Sequence, residues 1–296
     1  MTPTAKLLHW YDAHGRDLPW RKTRDPYRIL VSELMLQQTQ VPRVLVFYPR
    51  WLATFPDWQA LAVASNADVI RAWAGLGYNR RALMLRDMAK QVVEKGVPQS
   101  EEAWRELKGI GPYTSAALAA FSLHQRTMPV DTNIRRVLAR ALLGIPFPEL
   151  KDDDRIRDAA EAFLPKRGRY FDIPQAVFDL ATMVCTKSPS CAACPLKDHC
   201  RSASAFLSGE VTIPKRSVKK AAESRHFGKK HPDRIYRGRI LKLVREAGVL
   251  PTYNLGKKID EGYVASADRP WVEAMITRLI RDGLLKKVGT KISLPD

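Results

Sequence analysis

The chain has 296 residues, 45% of them hydrophobic, so it is long and apolar enough to form two or three folded domains. Its 49 Lys and Arg outnumber 31 Asp and Glu, and the net charge of +18 favours a partner rich in phosphate, with an anionic membrane surface as the other attractor. No apolar run reaches about 18 residues and residues 1–20 lack the pattern of a secretory signal, so we expect a cytoplasmic or nucleoid protein without a membrane partner.

The first two thirds of the chain predict an all-α core. Apolar residues recur at helical spacing from residue 4 to residue 184, and Gly and Pro interrupt them at short intervals. Strand alternation is almost absent from this region. The predicted helices are 4–14, 27–39, 42–54, 57–64, 67–74, 79–95, 101–107, 112–124, 132–143, 152–163 and 172–184.

The composition changes after the last cysteine. Residues 203–232 are rich in Lys, Arg, Ser, Gly and Pro and predict a basic linker. Helices are then predicted at 233–247, 254–259 and 270–282, followed by two short strands within 284–294. This order is typical of a small winged-helix-like domain over 233–296. Its basic residues favour a second contact to nucleic acid, and a solubilising or protein-docking appendage is the alternative.

A glycine-rich turn precedes one of the predicted helices. Gly109 and Gly111 bracket one apolar residue directly before Pro112. Glycine lets another backbone approach closely, and the start of a helix adds partial positive charge, so the turn suits a nucleic-acid phosphate. Similar turns also join helices for structural reasons alone.

Two carboxylates could carry chemistry. Glu33 has mostly apolar helical neighbours, which would raise its pKa and keep it protonated as an acid, whereas an ion pair with Arg28 or Arg43 is the alternative. Asp131 directly precedes a helical pattern, where an Asp is by default an N-cap. Breaking an N-glycosidic bond requires an acid for the leaving base and a carboxylate for the developing sugar cation, and these two residues could form that pair.

All four cysteines fall within sixteen residues, in the pattern C-x5-C-x2-C-x5-C at Cys185, Cys191, Cys194 and Cys200. A disulfide framework would spread cysteines through the fold of a secreted chain, so a metal site is favoured. A [4Fe-4S] cube takes its ligands from one such loop. Zinc is the alternative, although structural zinc sites usually use two separated C-x2-C pairs and this chain has one.

Several motifs in order resemble the helix-hairpin-helix DNA glycosylases with a Gly/Pro-rich loop and a catalytic Asp (HhH-GPD), and among them the adenine DNA glycosylases of the MutY type. They are RDLPWRKTRDPY (16–27), SELMLQQTQV (32–41), GLGY (75–78), LKGIGPYT (107–114), VDTNIRRVLAR (130–140) and the cysteine loop. The resemblance implies an all-α, two-lobed glycosylase core over 1–202 that includes a [4Fe-4S] loop and holds double-stranded DNA. We expect a monomer.

The resemblance also implies roles for the matching residues. Glu33 would protonate adenine and Asp131 would stabilise the oxocarbenium ion, with Tyr113 and Asn133 supporting them. The residues expected to flank the adenine are Arg16, Trp20 and Gln175. The residues expected to face DNA are Gln37, Gln38, Thr39, Leu76, Tyr78, Gly109 and Gly111, with Gln38 as the wedge that fills the place of the extruded base. As alternatives, Trp20, Leu76 and Tyr78 could belong to the core, and Arg16 could be a solvated charge.

A lysine that forms a Schiff base in relatives such as endonuclease III is replaced here by Tyr113. The resemblance therefore implies a monofunctional base-excision repair glycosylase that hydrolytically removes adenine mispaired with 8-oxoguanine or guanine. The chain departs from the family in having one residue fewer between its first two cysteines, Thr132 and Ala181 where glycine is common, and no Nudix-like domain of the kind that recognises 8-oxoguanine.

Two other functions stay open at this point. A thymine or uracil mismatch glycosylase would share Tyr113 and the cysteine loop, but the run Gln37-Gln38-Thr39 favours adenine. A non-catalytic iron-sulfur regulator could read DNA through the winged-helix-like domain, but such a binder would need neither Glu33 nor Asp131.

Overall fold

The computed structural model describes residues 1–214 and 223–296, which form two compact units. The first unit contains Met1–Glu33 and the described residues 97–214, and the second contains Leu34–Gly96 and the described residues 223–296. Part of the predicted basic linker lies outside the described residues, including Lys215, Arg216, Lys219 and Lys220. Within the described ranges, no helix is both long enough and apolar enough to cross a membrane.

The described structure is mostly helical, which confirms the predicted all-α core. The helices are α1 (Pro3–His14), α2 (Pro26–Leu36), α3 (Val41–Thr54), α4 (Trp58–Val63), α5 (Asn66–Ala72), α6 (Arg80–Lys95), α7 (Glu101–Glu106), α8 (Pro112–Ser122), α9 (Thr132–Leu138), α10 (Asp153–Phe163), α11 (Ile173–Met183), α12 (Ala203–Leu207), α13 (Asp233–Ala247), α14 (Leu255–Ile259) and α15 (Ala265–Arg281). The strands are β1 (Val249–Pro251), β2 (Lys286–Val288) and β3 (Lys291–Ser293).

The core of the first unit lies between α9 and α11, with α1 packed against α11. Ile134 and Val137 of α9 meet Val177 and Leu180 of α11, and none of the four is more than 2% exposed. Burial of each such side chain stabilises the fold by roughly 1.5–3 kcal/mol. This packing fixes the start of α9, where Asp131 lies, against the helix that leads into the cysteine loop.

Two predicted helix boundaries differ from the structure by three residues or more, and one predicted helix changes type before its end. Helix α2 ends at Leu36 rather than at 39, because Gln38 adopts a left-handed backbone with φ +56°. The helix predicted over 132–143 continues beyond α9 as one π-helical turn, Ala139–Leu143. Helix α15 begins five residues before the predicted start at 270, because the Asp268 carboxylate accepts the Val264 N–H (2.8 Å) at its first turn.

The C-terminal module has the element order of a winged helix. Helix α13 is followed by β1, α14, α15 and the β2–β3 hairpin, and the antiparallel sheet has the order β1-β3-β2. Ile292 at the centre of the sheet pairs with both Leu250 and Lys287. The sequence did not predict β1, because three residues are too few for an alternating pattern.

The boundaries of the units differ from the predicted domain boundaries for two reasons. The core of the C-terminal module continues onto Ile70 of α5, so residues 34–96 group with it. At the end of the predicted linker, the buried Lys229 ammonium donates to Asp260 (2.8 Å) and Asp268 (2.6 Å). Lys229 is thus part of the module rather than of a linker.

Candidate active site

Glu33 lies near the end of α2 and is only partly exposed. Burial raises the pKa of its carboxyl from 4.5 to about 7, the hydrogen bond from Tyr113 opposes that shift, and the negative charge of Asp131 adds to it. Burial also raises the pKa of the Tyr113 hydroxyl well above 10, so the hydroxyl stays a neutral donor. The structure therefore brings Glu33, Tyr113 and Asp131 together, and a pKa of about 7 lets a large share of Glu33 keep its proton up to neutral pH.

Asp131 is the N-cap of α9, as its position before a helical pattern predicts. Its Oδ1 accepts the backbone N–H groups of Asn133 (2.9 Å) and Ile134 (2.7 Å), and its Oδ2 accepts the Asn133 side-chain amide (2.8 Å). Three donated hydrogen bonds fix the carboxylate in one orientation. The capping role and a role in chemistry are compatible here, because the same carboxylate is close enough to Glu33 to raise its pKa.

This arrangement separates the roles of two neighbouring carboxyl groups. Burial of Glu33 favours its protonated form, whereas Asp131 is held as an oriented acceptor at the start of α9, where the helix dipole favours negative charge. An acid beside a fixed anion suits a reaction in which a leaving group takes up a proton while positive charge develops next to it.

Asn133 is fixed in turn by Arg136, one turn further along α9. The Arg136 guanidinium donates to Asn133 Oδ1 (3.3 Å), to the Cys185 carbonyl (2.8 Å) and to the Ala181 carbonyl (2.8 Å). The supporting amide of Asp131 is therefore connected by hydrogen bonds to the first residue of the cysteine loop.

The four cysteines line one cavity together with Arg140 and Phe206. Burial raises the pKa of Cys194 to about 12, and it also raises the pKa of Cys191 and Cys200. Thiolates in this cavity thus need a bound positive charge. Among the described residues, no three His, Cys, Asp or Glu are arranged to hold a single metal ion. The four thiols that line this cavity are the donor set of the predicted metal site.

Two of the residues expected to flank a base, Arg16 and Gln175, belong to one polar network. Fully buried Asp179 accepts from Arg16 Nε (2.7 Å) and is bridged by both terminal nitrogens of Arg21 (2.7 and 2.8 Å), so Arg16 is paired rather than solvated. Burial acts to raise the pKa of Asp179, but the hydrogen bonds and charges of Arg21 and Arg16 outweigh it and lower that pKa. Arg21 also contacts Tyr11, whose hydroxyl donates to Gln175 Oε1 (3.2 Å). Trp20 is buried, as its alternative assignment to the core predicts.

Sequence reasoning missed Arg21 and Asp179. A signal for the second was present, because Asp179 is the one charged residue of α11. A buried carboxylate is tolerated only with a partner, so this pattern indicates an ion pair with a distant Arg. The partner itself cannot be identified from local spacing, since about 160 residues separate the two.

The glycine turn lies between α7 and α8, as the sequence predicts. Gly109 has φ +100°, which only glycine adopts readily, and Ile110 is buried beneath the turn while both glycines are exposed. Gly111 is the N-cap of α8 without a side-chain cap, and a Cβ added to it would meet no atom within 4 Å. The backbone at this helix start is therefore open to a phosphate.

The remaining predicted DNA-facing residues lie in the second unit. Gln37 and Gln38 are exposed and Thr39 is partly exposed, directly after α2. In the loop before α6, the Tyr78 side chain is 63% exposed whereas Leu76 is buried at 6%. Leu76 thus fits its alternative as a core residue, and Tyr78 does not.

Comparison with known proteins gives consistent similarities. Residues 31–166 match the family described as HhH-GPD superfamily base excision DNA repair protein. The adenine DNA glycosylase of Mycobacterium tuberculosis (strain ATCC 25618 / H37Rv) is 39% identical over 248 residues, covering 82% of this chain and 78% of that protein. That of Homo sapiens is 39% identical over 212 residues, covering 67% of this chain and 38% of that protein. The solved structure of a thermostable thymine-DNA glycosylase has a TM-score of 0.63 at 26% identity, covering 68% of this chain and 94% of that one.

Proposed function

The chain belongs to the adenine DNA glycosylases of the HhH-GPD superfamily, and from this membership we propose that it hydrolyses the N-glycosidic bond of adenine mispaired with 8-oxoguanine or guanine. The observation that carries the proposal is the placement of the Glu33 carboxyl, whose pKa burial raises to about 7, next to Tyr113 and the fixed carboxylate of Asp131. The higher identity to adenine enzymes, 39% against 26% for the thymine enzyme, favours adenine over the pyrimidine alternative.

The mechanism assigns one task to each side chain. Glu33 gives its proton to the adenine as the bond between the base and the sugar breaks and its electron pair passes to the base. Asp131 stabilises the oxocarbenium ion that is left. Water then adds to the sugar carbon and returns a proton to ionised Glu33. Tyr113 holds Glu33 by a hydrogen bond, and Asn133 holds Asp131.

Strand cleavage by a covalent adduct is not part of this mechanism. A Schiff base requires an amine at the position of Tyr113, and a phenol cannot form one. The product would therefore be an abasic site in an otherwise intact strand.

DNA would be bound as a duplex by a monomer. In the first unit, the open backbone at Gly111 and the exposed Gly109 beside it would contact a phosphate. Arg16 and Gln175, held by the Asp179 and Tyr11 network, would flank the base after its extrusion. In the second unit, the residues that would face the DNA duplex from which the base has left are Gln37, Gln38, Thr39 and Tyr78. Gln38 would be the wedge.

The cofactor that we propose is a [4Fe-4S] cluster bound by Cys185, Cys191, Cys194 and Cys200. When bound, such a cluster supplies a covalent cross-link between the ends of one loop. The Arg140 guanidinium lies 3.5 Å from Cys185 Sγ and also donates to the Thr186 carbonyl (2.6 Å), so it would hold the loop and balance thiolate charge.

We expect Cys194→Ser to lose iron and to lower the melting temperature by roughly 10 °C, since metal binding contributes directly to folding. Elemental analysis and visible absorbance would measure this, with the exposed position Ser190→Ala in the same loop as a control that retains the metal. Stoichiometric zinc in the colourless wild type would instead identify the zinc alternative.

The test of the proposed function is base release from four duplexes, which contain A opposite 8-oxoguanine, A opposite G, T opposite G and U opposite G. Alkali cleaves the abasic product, so strand scission after alkali measures release. We expect release from both adenine duplexes. Release of T or U without A would establish the pyrimidine alternative, and binding without release from any duplex would establish a non-catalytic DNA-binding protein.

A further inference from the structure

Arg81, the second residue of α6, joins two separate loops of the second unit. Its side chain is 7% exposed. Nη1 donates to the carbonyls of Leu34 (2.6 Å), Met35 (3.2 Å) and Gln37, and Nη2 donates to Thr39 Oγ1 (3.3 Å) and the Gly77 carbonyl (3.1 Å). One guanidinium thus binds acceptors both at the end of α2 and in the loop before α6.

Each of these loops contains a non-glycine residue with a left-handed backbone. Gln38 has φ +56° and Tyr78 has φ +47°, and His124 is the one further example within 1–214 and 223–296. Such backbones persist only where surrounding contacts hold them, and they concentrate at functional sites. The acceptors of Arg81 immediately flank both residues, since Gln37 and Thr39 enclose Gln38 and Gly77 precedes Tyr78.

Aromatic contacts reinforce the second loop. The Arg81 guanidinium carbon lies 5.3 Å from the ring centre of buried Trp73 and 5.4 Å from that of Tyr78. Trp73 Nε1 donates to the same Gly77 carbonyl (3.0 Å) that Arg81 binds. Capping α2 alone would need neither Gly77 nor the Tyr78 ring, so the arrangement does more than end a helix.

We propose that Arg81 is a positioning residue that holds Gln38 and Tyr78 together in the backbone conformations from which their exposed side chains enter the DNA during base extrusion. The inference rests on the proposed function. Removal of the guanidinium frees three carbonyls at the end of α2 and one in the second loop, and both residues can then relax toward ordinary backbone conformations. A displacement of about 1 Å at such positions can cost roughly a hundredfold in rate.

The test uses Arg81→Met in the full chain, because Met keeps an unbranched apolar stem and removes every donor. Arg86→Met is the matched control, since Arg86 lies on the same helix, is partly buried and donates to Asn66 Oδ1 (2.6 Å) outside the two loops. A duplex with 2-aminopurine opposite G reports extrusion by a rise in fluorescence, and single-turnover release from A opposite 8-oxoguanine reports chemistry.

We expect Arg81→Met to lower the rate of extrusion by at least about tenfold, and release at saturating enzyme by roughly 10- to 100-fold. Glu33→Gln should extrude normally while it fails to release adenine, which separates positioning from chemistry. Arg86→Met should stay within about twofold of wild type in both assays.

Extrusion and release by Arg81→Met within twofold of Arg86→Met would overturn the proposal. If circular dichroism shows that Arg81→Met does not fold, Arg81→Lys tests the proposal instead. Its single ammonium has three donors for the five acceptors, so this variant should extrude the base at an intermediate rate. Arg81→Lys that matches Arg86→Lys would also overturn it. If the wild type released no adenine, the proposed function would fail, and the fluorescence comparison would still judge Arg81.

Discussion

Glu33→Gln is expected to reduce adenine release by about a thousandfold at saturating enzyme, because the variant has no proton to give to the leaving base. Gln is nearly isosteric with Glu and can still accept the Tyr113 hydroxyl, so DNA affinity should change by no more than a few-fold. Single-turnover rates and fluorescence anisotropy would measure the two quantities. Glu106→Gln, an exposed position on α7, is the control and should change neither.

The same substitution should make the protein more stable at alkaline pH. The pKa of Glu33 is about 7 instead of 4.5, so the folded state binds this proton more tightly than the unfolded state does. The stabilisation is complete below about pH 4.5 and is lost as pH rises through about 7. Since one pKa unit equals about 1.4 kcal/mol, ionised Glu33 costs roughly 3 kcal/mol at pH 8, and Gln avoids that cost.

Melting temperatures of Glu33→Gln and the wild type at pH 5 and pH 8 would measure the stability cost of ionised Glu33 directly. We expect Glu33→Gln to melt several degrees above the wild type at pH 8 and close to it at pH 5. The wild-type release rate should fall about tenfold per pH unit above about pH 7, as the acid ionises. A release rate that stays constant to pH 9, or a variant less stable than wild type at pH 8, would contradict the role of Glu33 as a proton donor.

The local part of this site could be predicted from the sequence because it depends on neighbours in the chain. Helical spacing gave the helices, the glycine pattern gave the turn before Pro112, and the position of Asp131 before α9 gave its capping role. The four cysteines are close in sequence, so their convergence on one cavity followed from spacing as well.

The rest depends on contacts that local spacing does not encode. Arg16 and Asp179 are 163 residues apart, and no periodicity links them. The early end of α2 is another case, because the carbonyls there are bound by Arg81, which lies more than 40 residues later. Helical periodicity through position 39 predicted a longer helix, and a tertiary contact overrode that propensity.

Asp131 offers a test that separates chemistry from helix capping. Asp131→Asn keeps an Oδ1 that can accept the backbone N–H groups of Asn133 and Ile134, while it removes the negative charge. Asp131→Ala removes both. Asn caps helices about as well as Asp, whereas Ala costs about 1 kcal/mol, up to roughly 2. Both variants should release adenine at least about a thousandfold more slowly, since the oxocarbenium ion loses its counter-charge, but Asp131→Ala alone should be clearly less stable.

Asp57→Ala is the matched control for the cap. Asp57 caps α4 by accepting the Ala60 N–H (2.8 Å), so its loss should cost about 1 kcal/mol and leave the release rate unchanged. Denaturant unfolding would measure the stability of all three variants, and single-turnover release would measure their rate of adenine release. If Asp131→Asn released adenine at the wild-type rate while Asp131→Ala did not, the required property of residue 131 would be its hydrogen-bond acceptor rather than its charge. The oxocarbenium ion would then need another anion, and Glu33, ionised after it has given up its proton, is the second carboxyl group of the described site.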